Sequence, residues 1–246
     1  MDTEFEAGTF LIDKPEGVSS FYMVRQVRRA LGMKKVGHAG TLDPFATGLL
    51  VICAGRPATR MIGEIMEGEK EYLATLRLGM ETTTLDPEGE VTSKQSVGHV
   101  SAQQVEECLQ GFRGEFDQVP PAYSALKHEG KPLYHYARQG INIVKPPRRV
   151  LIHTLERTDG DQELNDASPF LTIRVVCSKG TYIRTLGSDI GKVLGCGAYL
   201  TALRRMQSGC FHVRDSVQGQ LLREDDARER LMQRVLSVSD VRNLLQ

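Results

Sequence analysis

Apolar positions fall in short runs whose period changes along the chain. Residues 9–13 are mostly apolar and close on the turn sequence Lys14-Pro15-Glu16-Gly17, which predicts a first strand. After Ser19-Ser20, Val24, Val27 and Leu31 recur at helical spacing and Gly32 follows. This predicts a helix capped at its start by serine and stopped by glycine, with Arg25, Arg28 and Arg29 on the opposite face. A glycine-rich loop spans 37–48, and the continuous apolar run 49–54 reads as a buried strand. A short helix over 58–66, a strand over 71–78 and a polar turn over 82–89 come next. Ser101 and Gln104 have capping-box spacing, opening a helix with Val105, Cys108 and Leu109 inside.

The second half begins with a proline-punctuated loop, 118–136, leading into a short helix near 133–138. Strands are expected near 150–155 and 170–178, then a helix from Gly180 to about Leu194. Strands near 202–206 and 211–213 follow. From Leu221 onward the pattern is helical, with Leu231, Val235, Val238, Val241 and Leu244 as its apolar positions. The strands are too unevenly spaced for a regular βαβ series. The expected fold class is therefore mixed α/β (α+β), with a central, mainly antiparallel sheet and flanking helices.

Composition narrows the setting. The 246 residues are 40% hydrophobic and 25% charged, so a real core is available. Five widely spaced cysteines without a Cys-x-x-Cys indicate neither a disulfide framework nor a zinc ribbon, and a reducing, cytoplasmic compartment is expected. The first ten residues carry Asp2, Glu4 and Glu6 rather than a signal-peptide pattern, and the longest apolar run is too short to span a bilayer. The formal net charge is zero, which on its face disfavours a polyanionic partner. The distribution changes that reading. Residues 25–60 hold seven basic groups against Asp43, residues 127–153 hold six against Glu129, and residues 61–117 hold twelve acids against four bases. Charge acts locally, over a Debye length of about 8–10 Å, so a neutral total is compatible with a basic, phosphate-binding face.

Chemistry concentrates at Asp43. It sits in the sequence Gly37-His38-Ala39-Gly40-Thr41-Leu42-Asp43-Pro44-Phe45-Ala46-Thr47-Gly48. Glycines permit sharp turns and close approach of a ligand, and proline fixes the backbone directly after the acid. Such a loop either forms a simple Asx-turn or holds a carboxylate rigidly at the rim of a sheet.

Seven segments in one order give the chain a family resemblance. They are 11–20 (Leu-Ile-Asp-Lys-Pro-Glu-Gly-Val-Ser-Ser), the loop 37–50, Glu69-Lys70-Glu71-Tyr72, 119–127 (Val-Pro-Pro-Ala-Tyr-Ser-Ala-Leu-Lys), 130–134 (Gly-Lys-Pro-Leu-Tyr), 177–185 (Cys-Ser-Lys-Gly-Thr-Tyr-Ile-Arg-Thr) and Leu203-Arg204-Arg205. Together they resemble the TruB-type tRNA pseudouridine synthases, which isomerise uridine 55 in the T-loop of tRNA. The resemblance implies a mainly antiparallel sheet with a long cleft for RNA and chemistry without a cofactor or metal. In keeping with that, the chain has no P-loop, no Gly-x-Gly-x-x-Gly and no ligand cluster of metal spacing. Its expected partner is the T-stem-loop of tRNA, with no membrane partner, and a monomer is the expected state. The family commonly carries a small RNA-binding PUA domain after the core. About forty residues follow Arg205 here, so the expected organisation is a catalytic domain over 1–215 and a short helical tail over 216–246.

The resemblance also assigns roles. Asp43 is the catalytic carboxylate, acting at C1′ or C6 or on the proton at C2′. Arg184 opposes its charge and orients it. Tyr72 stacks on the uracil, and its hydroxyl is available for the C5 proton. Tyr182 and Leu203 complete the base pocket, His38 enters the space the base vacates, and Lys14 supports the site or a phosphate. Lys127, Lys131, Arg148, Arg149, Arg204 and Arg205 are candidates for backbone contacts that position the RNA. Two other readings remain open at this point: an RNA-folding protein using the same cleft, and an unrelated hydrolase with an aspartate nucleophile.

Overall fold

Seven consecutive buried residues form the first strand, β1 (Gly8–Lys14). The computed structural model describes residues 5–98, 100–160 and 163–246, so Asp2 and Glu4 lie outside the described residues. Two compact units make up the chain: Met1–Tyr72 with Leu203–Gln246, and Leu73–Ala202.

In the first unit, α1 (Ser20–Leu31) starts where the Ser19 hydroxyl accepts from the Tyr22 amide and ends at Gly32, whose φ of 66° is left-handed. Its inner face buries Met23, Val24, Val27 and Leu31. β2 (Val36–Ala39) pairs antiparallel with β3 (Thr47–Ala54), so the loop expected from Gly37 begins with a strand. Gly37 and Ala39 offer no alternation to read; pairing to β3 makes the strand. The helix expected over 58–66 is two single turns, α2 (Arg56–Thr59) and α3 (Ile62–Ile65). Pro57 suits a first helical turn, which moves the start forward, and Gly63 gives the second turn little helical preference.

β4 (Lys70–Leu78) leads into the second unit. The turn at 82–89 is the tip of a hairpin, β5 (Met80–Thr82) and β6 (Val91–Lys94). α4 (Ala102–Gly111) opens on the expected capping box of Ser101 and Gln104. β7 (Gly114–Gln118), β8 (Lys127–His128), β9 (Lys131–Pro132) and α5 (Leu133–Ala137) follow. β10 (Arg148–Arg157) and β11 (Phe170–Cys177) then pair antiparallel, and β7 completes the order β4-β11-β10-β7. α6 (Ile183–Val193) starts three residues after Gly180, because Gly180 takes a φ of 79° that a helix does not accommodate. The core of this unit contains Leu76, Leu109, Ile152, Leu155, Ile173, Val175, Leu186 and Ile190.

β12 (Ala198–Ser208) is longer than the run 202–206 expected from sequence, and its end returns to the first unit with β13 (Phe211–His212). There Arg204 and Arg205 lie parallel to Thr47 and Gly48 of β3, while β1 pairs antiparallel along the other side of β3. β14 (Val217–Gln218) adds in parallel to Ile12 and Asp13. α7 (Ala227–Met232) and α8 (Val238–Leu244) close the chain. Leu231 and Val241 are buried as the pattern predicted, but Leu244 is exposed. Val241 joins Leu11, Leu49, Val51, Met61, Ile65 and Phe211 in one cluster, and Leu236 exchanges backbone hydrogen bonds with Thr9. The fold is mixed α/β with a mainly antiparallel sheet, as expected. No helix of the described residues is long and apolar enough to cross a membrane.

Candidate active site

The Asp43 loop, which joins β2 to β3, is held from several sides within the first unit. Lys14, fully buried at the end of β1, donates from Nζ to the carbonyls of Pro15 (2.9 Å), Val18 (2.7 Å) and Pro44 (3.1 Å). Gly17 donates its amide to the same Pro44 carbonyl at 2.9 Å. The hydroxyl of Ser20, in the first turn of α1, donates to the Leu42 carbonyl (2.9 Å) and accepts from the Leu42 amide (2.8 Å). Arg205 donates from Nη2 to the Gly40 carbonyl at 3.1 Å and from Nε to the Leu49 carbonyl at 2.7 Å. Both neighbours of Asp43 are thereby fixed in place. Asp43 itself is half-buried, and the Ala46 amide donates to its backbone carbonyl at 3.1 Å.

Arg205 therefore departs from its sequence reading as a phosphate contact. At 2% exposure, with its guanidinium spent on Leu49 and Gly40, it braces the loop from within. Arg204 points the other way along β12, as alternation in a strand requires. It makes a bidentate pair with Asp13 (3.0 and 2.7 Å), which Gln218 joins at 3.3 Å. Much of its charge is therefore committed to Asp13, although its side chain stays partly exposed.

His38, in β2, is half-buried, and its Nδ1 is buried without a hydrogen-bond partner among the described residues. Burial first, and then the charge of Arg205, hold its imidazole below the usual 6.5, while the Gly40 carbonyl opposes them. The ring is therefore a neutral body beside the loop. Tyr72, half-buried, lies near the start of β4. That start is anchored by buried Lys70, whose Nζ donates to the Met66 and Gly68 carbonyls, and by the Gly209 amide, which donates to Glu69. Leu203 is buried in β12.

The second unit presents Arg184. It lies in the first turn of α6 and is only 5% exposed. Its Nη1 donates to the Thr84 carbonyl (2.9 Å) and to Asp86 Oδ2 (3.1 Å), and its Nη2 donates to the Tyr123 carbonyl (2.7 Å). Asp86 is buried too, and its Oδ1 accepts from the Thr84 hydroxyl (2.5 Å) and the Glu88 amide (3.0 Å). The turn at 82–89 thus folds around one carboxylate that seats the guanidinium. Tyr182, the residue before α6, is half-buried, and buried Gln118 accepts from its amide (2.8 Å) and donates to its carbonyl (3.1 Å). Lys127, Lys131, Arg148 and Arg149 are exposed. Arg149 faces Asp117 at 3.3 Å and Glu115 at 4.0 Å across β7, which partly offsets its charge.

Sequence reasoning passed over Asp13, Asp86 and Gln118. Only Asp86 carried a signal, as an acid among threonines in a turn; the other two act through residues far away in the chain.

Residues 28–183 match the TruB family of pseudouridylate synthases over its N-terminal domain. The chain belongs to that family. Residues 184–241 match the C-terminal domain described for tRNA pseudouridylate synthase B. The tRNA pseudouridine synthase B of Desulfotalea psychrophila is 61% identical over 245 residues, covering 100% of this chain and 99% of that protein. The Syntrophotalea carbinolica protein of the same name is 48% identical, over 85% of this chain and 66% of its own length. Among solved structures, a chain of a Cbf5-Nop10-Gar1 complex superposes with a TM-score of 0.67 at 26% identity, over 95% of this chain and 60% of that one. The archaeal box H/ACA sRNP Nop10-Cbf5 complex gives 0.68 at 25% identity, over 97% and 62%. TruB-family proteins are isomerases, and an isomerase needs no second substrate.

Proposed function

We propose that this chain isomerises uridine to pseudouridine at position 55 in the T-loop of tRNA. The observation that carries the reading is the immobilised Asp43 loop in a member of the TruB family. Its backbone is bonded to Lys14, Ser20 and Arg205, while the acid itself keeps access to solvent.

The reaction breaks the N1–C1′ bond, rotates the uracil and forms a C5–C1′ bond. The proton lost from C5 is balanced by one gained at N1, so nothing else is consumed or released. Asp43 acts beside the ribose as an ionised carboxylate, and a fixed loop supplies the near-attack geometry such a step needs. Arg184 is the residue that the family resemblance assigns to oppose the charge of that carboxylate. Tyr72 holds the loose base by stacking, worth about 1–3 kcal/mol, and Tyr182 is assigned by the resemblance to the base pocket. Leu203 backs the base, and neutral His38 fills the space it leaves in the RNA. Lys127, Lys131 and Arg148 contact backbone phosphates. In this reading Lys14 holds the loop rather than a phosphate.

The test is incubation of wild type and Asp43→Asn with an unmodified T-stem-loop, followed by nucleoside analysis and a binding assay. Pseudouridine from wild type, none from the variant and retained RNA binding are expected. Equal product from both proteins would remove Asp43 from the chemistry.

A further inference from the structure

From Gly17 to Leu42 the chain carries no acidic residue, and that stretch holds Arg25, Arg28, Arg29, Lys34 and Lys35. On the outer face of α1, Phe21 is 55% exposed and has two guanidinium groups against its ring, Arg25 at 6.0 Å and Arg28 at 5.5 Å. Tyr22 has Arg25 at 5.5 Å and Arg223 at 5.4 Å. Arg28 also donates to the Val36 carbonyl at 2.9 Å, which ties the helix face to the turn bearing exposed Lys34 and Lys35. The Gly55 amide donates to the Lys35 carbonyl at 2.8 Å, which brings exposed Arg56 alongside. Among the described residues, none of these basic groups enters an ion pair. The neighbouring acids Glu224 and Asp226 are engaged by Arg230, at 3.3 and 2.7 Å.

This arrangement costs stability through like-charge repulsion unless a polyanion covers it. Guanidinium groups stacked on aromatic rings are pre-positioned and keep donor edges free for phosphate oxygens. The track also has a direction. Ser20, the first residue of α1, is bonded to Leu42 beside Asp43, and the helix of twelve residues runs about 18 Å from there.

We propose that the outer face of α1, continued through Lys34, Lys35 and Arg56, is a second RNA-binding surface that grips the phosphate backbone of a duplex stem outside the reacting loop. The proposal rests on RNA being the substrate and extends the footprint beyond the residues already assigned. Because the contacts are to phosphates, they add affinity and register without reading sequence.

The experiment uses the full chain and a blunt RNA duplex of about 12 base pairs with no loop, so it needs no catalysis. Wild type is compared with R25Q/R29Q/K34Q/K35Q, whose thermal unfolding verifies that it is folded. The expected result is duplex binding at least about tenfold weaker at ~0.1 M salt, with a salt slope lower by about two to four. Equal affinity and slope for both proteins would overturn the proposal. So would a variant that loses binding only to phosphatidylglycerol vesicles, since the face would then serve a lipid surface. Failure of wild type to make pseudouridine from a stem-loop would instead count against the isomerase reading and leave the duplex measurement standing.

Discussion

Lys14 Nζ donates to the carbonyl of Pro44, thirty residues away and next to Asp43, from a position with no solvent exposure. A buried ammonium is costly unless its donors are used. Here the bonds span the turn after β1, the entry to α1 and the Asp43 loop. Lys14→Met leaves three carbonyls without that donor, at about 1–3 kcal/mol for each one that stays buried and unpaired. The expected outcome in urea denaturation is a loss of at least about 2 kcal/mol, with slower turnover as the loop loosens. Wild-type stability in the variant would show that the amine is dispensable.

Arg184 and Asp86 form a pair with side chains 6% and 3% exposed. Removing one partner of such a pair leaves an uncompensated buried charge, which typically costs about 3–5 kcal/mol. Asp86→Ala is expected to lose stability on that scale. Asp86→Asn keeps an acceptor and is expected to lose less in chemical denaturation but still to reduce kcat, because the guanidinium is no longer held by a charge. Equal kcat for Asp86→Asn and wild type would confine Asp86 to folding.

Gly48 combines a φ of 96° with a close parallel approach to β12. A Cβ built there would lie 2.3 Å from the Arg205 carbonyl oxygen. Nothing flexible can yield, since the obstacle is backbone. Gly48→Ala should lower the thermal midpoint by several degrees, corresponding to roughly 2 kcal/mol or more of backbone strain and lost pairing. An unchanged midpoint would mean that β3 and β12 can separate locally without penalty.

His38 supplies a pH dependence with a definite sign. Unfolded, it takes up a proton near pH 6.5; folded, only at a lower pH, because of burial and Arg205. Across that interval the unfolded chain binds more protons, so stability falls as pH drops through it and is recovered above 6.5. His38→Gln should flatten this acid-side decline in denaturant titrations at stepped pH. A decline as steep in the variant would assign the effect to other groups.

Much of this was legible in the chain. α1 has both caps and its inner face written locally, and α4 has its capping box, because these signals lie within a few residues of one another. β2, β7 and the hairpin at 80–94 were not legible, since short polar or small-residue strands gain their identity from their pairing partner. The site shows the same division. Asp43 stands out through its glycine and proline neighbours. By contrast, the inward role of Arg205 and the outward pairing of Arg204 depend on which side of β12 each residue faces, and their adjacency in sequence conceals it.

The first unit is assembled from both ends of the chain, residues up to Tyr72 and those from Leu203. During synthesis on a ribosome, Asp43 emerges early, yet the guanidinium that braces Gly40 belongs to residue 205 and the strand beside β1 to residues 217 and 218. A nascent chain released before that point would carry the acid on a loop held by Lys14 and Ser20 but lacking the Arg205 brace, so the bracing is completed only late in translation.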